Sequence, residues 1–344
     1  MSPAIFMIVL SSLATGTIVT LSSHHWLFAW IGLELNTLAM IPAISTLHNP
    51  RSTEAATKYF LTQASASAMI LFSSMTNAWQ TGTWDIINLS SMPAHIMLTL
   101  ALAMKLGLAP MHFWLPEVLQ GSTMTIALII STWQKLAPMA LIYMTINNLS
   151  TTILIILGLL STIIGGWGGL NQTQTRKIMA YSSIAHLGWM LSISSIMTNI
   201  MLLNLMIYLI LTTTMFYLLI TTQSKTIQDT MTTWTLSPMM TSTVMILLLS
   251  LGGLPPLTGF IPKWLILNEL ITQNLILLAS IMMMATLLSL FFYLRLTYTT
   301  TLTLPPNTTQ TKLKWRLKPN FPQLIMLMAS TSTLLLPMTP MILL

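Results

Sequence analysis

The chain has 344 residues, of which 54% are hydrophobic and only 6% charged, with 13 Lys and Arg against 6 Asp and Glu. Soluble domains carry about 25% charged residues, so a water-soluble fold is excluded and a polytopic membrane protein is expected. Cys is absent, which removes disulfides, thiolate metal sites and a catalytic thiol. The net charge of +7 does not indicate nucleic acid, because no basic patch is interleaved with aromatics.

A crossing needs about 20 apolar residues. Cutting the apolar runs at Pro, Asn, Gly and charge clusters predicts an all-α fold of about 11 transmembrane helices, near residues 3–21, 26–46, 56–79, 93–119, 124–146, 150–170, 177–196, 200–222, 237–271, 275–299 and 323–343. The first lacks a basic n-region and a small-residue cleavage site, so it is expected to be a retained helix. The fourth and ninth contain internal prolines. Residues 300–321 are Thr-rich, Pro-interrupted and basic, which suits a surface loop leading to a C-terminal helix in 322–344. The 29 Met, with abundant Thr and Ile, exceed what packing demands, since Leu fills the same space. Such usage is expected of an organelle-encoded chain.

The loop charges fall on one side. Arg51 and Lys58 flank the second loop, Arg176 and Lys177 the sixth, Lys225 lies in the eighth, and Lys312, Lys314, Arg316 and Lys318 in the tenth. The opposite loops hold Asp85 and no Lys or Arg. Lys and Arg collect on the cytoplasmic-type side, so the N-terminus is expected in the cytoplasm or matrix and the C-terminus opposite. Arg295, near the end of the tenth span, can snorkel to the N-terminal side.

Gly107, Leu108, Pro110 and Pro116 in KLGLAPMHFWLP recur as Gly253, Leu254, Pro256 and Pro262 in LGGLPPLTGFIP, each at an offset of 146 residues. The two segments lie in helices four and nine, which cross in opposite directions. This predicts one membrane domain, 1–344, made of two inverted five-helix repeats, 1–146 and 150–299, with broken helices at 93–119 and 237–271. Unwound backbone at membrane depth is tolerated only where protein or water satisfies it, so the breaks point to the working centre. Ordinary proline kinks are the bland alternative; the shared spacing and the adjacent lysines argue against it.

Glu34, Lys105, Lys135 and His186 fall near the middle of helices two, four, five and seven, and Lys263 follows the break in helix nine. A charge facing lipid costs about 2.5–3.5 kcal/mol, so these groups must face one another or water. A Glu34–Lys105 ion pair could be structural only, yet buried pairs are weak evidence for stability. Lys135 and Lys263 also have no obvious acidic partner at their depth. Moving Glu34 toward or away from Lys105 would change the lysine's proton affinity, which makes a charge-coupled proton switch. His186 and His112 are candidate relays because imidazole titrates nearest neutrality; either can equally be a hydrogen-bonded structural histidine. Glu54, Glu117, Asp229 and Glu269 lie toward helix ends or loops and read as solvated. The in-span Ser and Thr can bond the backbone or hold water chains. There is no Walker loop, no dinucleotide fingerprint, no HExxH and no Ser-His-Asp arrangement. The Gly165, Gly166, Gly168, Gly169 run reads as close helix packing.

At these residues the sequence resembles the antiporter-like subunits of respiratory complex I, which are related to subunits of multi-component cation/proton antiporters. The carrying motifs are Glu34 within WIGLELN, KLGLAPMHFWLP from Lys105 to Pro116, Lys135 in STWQKLAP, RKIMAYSSIAHLGWM from Arg176 to Met190, and LPPLTGFIPKW from Leu254 to Trp264. They run through helices two to nine. The resemblance implies a proton-translocating membrane subunit of NADH:ubiquinone oxidoreductase in the mitochondrial inner membrane, with its N-terminus in the matrix and its C-terminus in the intermembrane space. It implies that Glu34 and Lys105 are the coupling pair, Lys135 the central relay and Lys263 the terminal lysine. It further implies no cofactor or metal in this chain, with flavin, iron-sulfur clusters and quinone held by other subunits. The implied partners are neighbouring antiporter-like membrane subunits and the lipid bilayer, cardiolipin included. Family members elsewhere have fourteen helices, so this chain is expected to lack three at its N-terminus. Two other functions stay open: a cation/proton antiporter subunit without a redox driver, and a structural membrane-arm scaffold.

Overall fold

Apolar segments in a membrane protein must satisfy their own backbone, and in the computed structural model they do so as helices α1 to α14, with no strand among the described residues. The structure describes residues 3–235, 238–255 and 257–303, together with 329, 330, 332, 333 and 337. Pro256 of the repeat, most of the loop 300–321 and most of the expected C-terminal helix lie outside the described residues. Six stretches among the described residues are long and apolar enough to cross a membrane: Pro3–Ser22, Trp26–Leu47, Met124–Thr145, Thr151–Gly169, Thr198–Thr222 and Ile276–Thr301. The chain forms two compact units, Met1–Ser161 with Ser194–Thr198, and Thr162–Ile193 with Asn199–Leu344.

The first unit holds α1 (Pro3–Ser22), α2 (Trp26–Ile44), α3 (Pro50–Thr81), α4 (Met92–Leu106), α5 (Trp114–Gly121), α6 (Met124–Ser131) and α7 (Leu136–Thr145). α1 and α2 meet through glycines: a Cβ on Gly16 would lie 2.9 Å from the Gly32 carbonyl oxygen, and one on Gly32 2.8 Å from that of Gly16. Small residues let membrane helices approach at backbone distance, where dispersion replaces the missing hydrophobic drive. α3 starts at a reciprocal cap between Asn49 and Ser52 with Pro50 at its first position, which pre-sets φ and needs no donor.

α8 (Thr151–Gly169) joins the units, and the second contains α9 (Thr175–Ser194), α10 (Thr198–Thr222), α11 (Ile227–Met231), α12 (Pro238–Gly252), α13 (Phe260–Thr272) and α14 (Ile276–Thr301). α14 packs along α11, α12 and α13. The in-span hydroxyls largely serve their own helices: Thr20, Ser73, Ser192, Thr212 and Ser250 each donate to a carbonyl three or four residues earlier. Arg295 of α14 does not simply snorkel. Its guanidinium donates to Leu170 O and Gln172 O just beyond the end of α8, placing a cation where the helix dipole is negative.

α4 and α12 end with one shared geometry. α4 stops at Gly107, with φ 78°, and Leu108 N donates back to Ala103 O at 3.0 Å. α12 stops at Gly253, also with φ 78°, and Leu254 N donates to Leu249 O at 3.2 Å. A left-handed glycine followed by such a bond is the usual way to end a helix while satisfying its last carbonyls. A third interruption differs from expectation. The fifth span reads as one helix in the sequence, but it divides at a 3-10 turn, Trp133–Lys135. Pro138 lacks an N–H and its ring clashes with the carbonyl four residues back, that of Gln134, so the chain tightens there and Lys135 N bonds Thr132 O instead.

Candidate functional site

In the first unit, the break puts Lys105 in the last turn of α4, with only 6% of its surface exposed. Trp114 pins the other side of the break by donating from Nε1 to Met104 O at 3.1 Å. Lys105 lines a cavity of about 10 Å³ with Asn36, Thr37, Tyr59, Gln63 and Gln134, close to the least volume that holds one water. Glu34 acts on both Lys105 and Tyr59 through its charge. The expected pair is nevertheless open: Lys105 Nζ and Glu34 Oε2 are both buried, and neither bonds a described residue.

Lys135 is buried at the end of the 3-10 turn rather than in mid-helix. Its neighbour Gln134 faces the Lys105 cavity and donates from Nε2 to Asn36 O at 3.4 Å. One interruption therefore carries both a wall of the Lys105 cavity and the next lysine. His112 lies in the break after α4, buried, with Nδ1 3.2 Å from Pro110 O and its ring 4.3 Å from that of Phe113. It is not among the residues lining the Lys105 cavity.

In the second unit, Lys263 reaches back from α13 to the end of α12 and donates from Nζ to Gly252 O at 2.8 Å. Final carbonyls of a helix have no intrahelical donor and form the negative end of its dipole, so the break itself supplies the counter-charge. His186 and Lys263 line one small cavity with Trp189, Ser289 and Tyr293. The His186 ring also packs 5.6 Å from that of Tyr208.

The residues expected from sequence thus gather as Glu34 with Lys105, and His186 with Lys263. Those not foreseen are Gln63, Gln134, Tyr59, Ser289 and Tyr293. An amide such as Gln63 inside a span was a usable signal, because it needs a polar neighbour at that depth; a single Tyr or Ser in a span carries little. Glu54 and Glu117 are not merely solvated. Lys58 Nζ bridges them, at 2.5 Å from Glu54 Oε1 and 2.6 Å from Glu117 Oε2, tying α3 to α5. The hydrogen bond and then the charge of Lys58 hold the Glu54 carboxyl below its usual range.

Buried lysines set at interruptions of membrane helices, beside water-sized polar cavities, define an ion-moving class of polytopic membrane protein. A family model described as NADH:quinone oxidoreductase/Mrp antiporter, TM, matches residues 23–289, and one described as NADH dehydrogenase subunit 2 C-terminus matches residues 290–343. The chain is 58% identical over 342 residues to NADH-ubiquinone oxidoreductase chain 2 of Varanus timorensis, covering 99% of each. Its fold is similar to a chain of respiratory complex I from Thermus thermophilus with bound aureothin, with TM-score 0.84 and 26% identity over 96% of this chain and 77% of that one. It is also similar to a chain of the Mrp complex from Dietzia sp. DQ12-45-1b, with TM-score 0.79, 16% identity, and coverage of 88% and 62%. The chain belongs to the NADH:quinone oxidoreductase/Mrp antiporter family and, within it, to the NADH-ubiquinone oxidoreductase chain 2 proteins. As a member it is an antiporter-like membrane subunit of respiratory complex I.

Proposed function

We propose that this subunit translocates protons through Glu34, Lys105 and Lys135 in the first unit and His186 and Lys263 in the second, driven by redox chemistry held in other subunits. The observation that carries this reading is the open pair: Lys105 is buried and Glu34 half-buried, the two are coupled by charge, and Lys105 Nζ and Glu34 Oε2 make no bond to a described residue. An ion pair at 4 Å is worth about 4 kcal/mol relative to wide separation at an effective dielectric of 20, and movement of the carboxylate changes the lysine's proton affinity by a share of that. Lys135 is the central relay, Lys263 the terminal lysine, and His186 the imidazole beside it. His112 is the weaker relay candidate, since its observed polar contact lies within the break loop.

The two breaks support an inverted repeat. α4 and α12 end at Leu106 and Gly252, and α5 and α13 begin at Trp114 and Phe260, each pair 146 residues apart. On this reading residues 1–146 and 150–299 are inverted five-helix repeats within about eleven crossings, followed by the loop 300–321 and a helix in 322–344. The protein lies in the mitochondrial inner membrane, with the N-terminus in the matrix and the C-terminus in the intermembrane space, since Arg51, Arg176, Lys177 and Lys225 belong to the retained side. Flavin, iron-sulfur clusters and quinone belong to other subunits. Neighbouring antiporter-like subunits and lipids, cardiolipin among them, cover exposed apolar surface such as Ile5, Phe6, Met7 and Ile8 of α1.

The test is Lys105→Met and Lys135→Met in the assembled complex. Each is expected to leave the complex intact while impairing coupled quinone reduction and lowering the protons moved per electron. Unchanged turnover and stoichiometry in both would sink the proposed path.

A further inference from the structure

We propose that Trp114 is the positioning residue for Lys105: its indole N–H holds the end of α4, so that the lysine arm stays free to answer Glu34. This rests on the path proposed above. Trp114 is buried, opens α5 and lines the Lys105 cavity. From there Nε1 donates to Met104 O at 3.1 Å. A peptide unit is planar, so gripping the Met104 carbonyl fixes the plane that ends at the Lys105 Cα. The plane on the other side of that Cα is met from α3, where Gln63 Nε2 lies 3.5 Å from Lys105 O. The root of the lysine is thus held on both sides.

Trp114 itself stands on a fixed base. Glu117, one turn further along α5, is bridged to Lys58 of α3 at 2.6 Å. At the far end of α5 a Cβ on Gly121 would lie 2.8 Å from Arg51 O, so α5 and α3 meet at backbone distance. The indole is wedged as well as bonded. Its ring packs edge-to-face with that of Tyr59, centroids 5.8 Å apart, and a Cβ on Gly107 would come within 3.2 Å of its Cζ2.

The second break shows what the indole replaces. At the offset of 146 residues Trp114 corresponds to Phe260 and Met104 to Ser250, and a phenyl ring carries no donor. There the lysine does the holding: Lys263 Nζ donates to Gly252 O at 2.8 Å. In the first unit the tryptophan holds the break, and Lys105 Nζ makes no bond to a described residue. A lysine relieved of capping a helix is free to follow a carboxylate.

The experiment compares Trp114→Phe, Trp114→His and Lys105→Met in the assembled, membrane-reconstituted complex, reading coupled quinone reduction across pH and the protons moved per electron. Trp114→Phe keeps an aromatic ring and removes the donor. It should slow coupled turnover about tenfold, the weight of one hydrogen bond. Its pH profile should also move by about one unit, the tenfold change in proton affinity that a displaced lysine entails. Looser packing alone would lower the curve without moving it. Trp114→His should recover most of the loss, since the imidazole Nε2 stands as many bonds from Cβ as the indole Nε1. With Lys105→Met impaired, normal coupling in Trp114→Phe, or a loss without a shift of the profile, would overturn the Trp114 assignment alone; normal pumping in Lys105→Met would overturn the path beneath it. If Trp114→Phe fails to assemble, Trp114→His decides: an assembled, pumping complex supports the positioning role. Assembly without pumping, or no assembly, assigns Trp114 to packing and overturns it.

Discussion

Replacing Gly253 by alanine separates two costs that the structure places at one residue. At φ 78° a residue with a Cβ is strained by roughly 1–2 kcal/mol. The added methyl would also lie 2.7 Å from Lys263 Nζ, 2.9 Å from Cδ and 3.0 Å from Cε. The lysine arm is flexible, so it yields, and in swinging aside it gives up its bond to Gly252 O. A hydrogen bond from a charged donor is worth about 1.5–3 kcal/mol, which brings the loss to roughly 2.5–5 kcal/mol. Gly82 supplies the control: its φ is 74°, and a methyl there would meet nothing within 4 Å. Gly82→Ala should therefore lose only the backbone share. The assay is the thermal dissociation midpoint of the isolated complex together with its proton-to-electron ratio. Gly253→Ala should fall further in midpoint and lose coupling, while Gly82→Ala keeps coupling. Equal midpoints and equal ratios in the two variants would refute the claim that the break carbonyl holds Lys263.

Two further outcomes are expected. Arg295→Met leaves Leu170 O and Gln172 O without their donor and removes the cation at the end of α8, so stability measured by denaturant titration of the complex should drop by about 2–3 kcal/mol; a loss under about 0.5 kcal/mol, the range of ordinary surface substitutions, would show that solvent satisfies those carbonyls equally well. At Asp229, burial works against the charged form, but hydrogen bonds from the N–H groups of Thr226 and Lys225 and the Thr226 hydroxyl outweigh it and hold the carboxyl below 3.8. A depressed folded value contributes stability above the unfolded value that is lost as pH falls through the folded one, so amide exchange around residues 225–231 should accelerate below pH 3.8 in the parent and lose that pH dependence in Asp229→Asn.

The lysines and the two glycine-proline breaks could be read in advance because each is a local violation of what a membrane span tolerates. A charge or a left-handed glycine announces itself without reference to any neighbour. The break before Lys135 escaped because its cause, Pro138, sits three residues downstream among apolar residues, where a proline within a span reads as a kink. Tyr293, Ser289 and Gln134 line their cavities together with residues of other helices, and periodicity in one chain does not say which faces meet. Lys58 illustrates the same limit at a surface: Glu54 is one helical turn away and legible, whereas Glu117 lies on α5 and became a partner only when α5 folded against α3. The role of Arg295 was hidden likewise, since its acceptors are backbone atoms beyond the end of another helix.

The glycine contact between α1 and α2 limits how the proposed Glu34 switch can operate. With Gly16 and Gly32 so close that neither position has room for a methyl, α2 cannot slide along α1 without first separating from it and forfeiting that packing. Glu34 is therefore carried on a stator. On that proposal, the travel that opens and closes its pair with Lys105 belongs to the side chains, or to α4 at the break by Gly107.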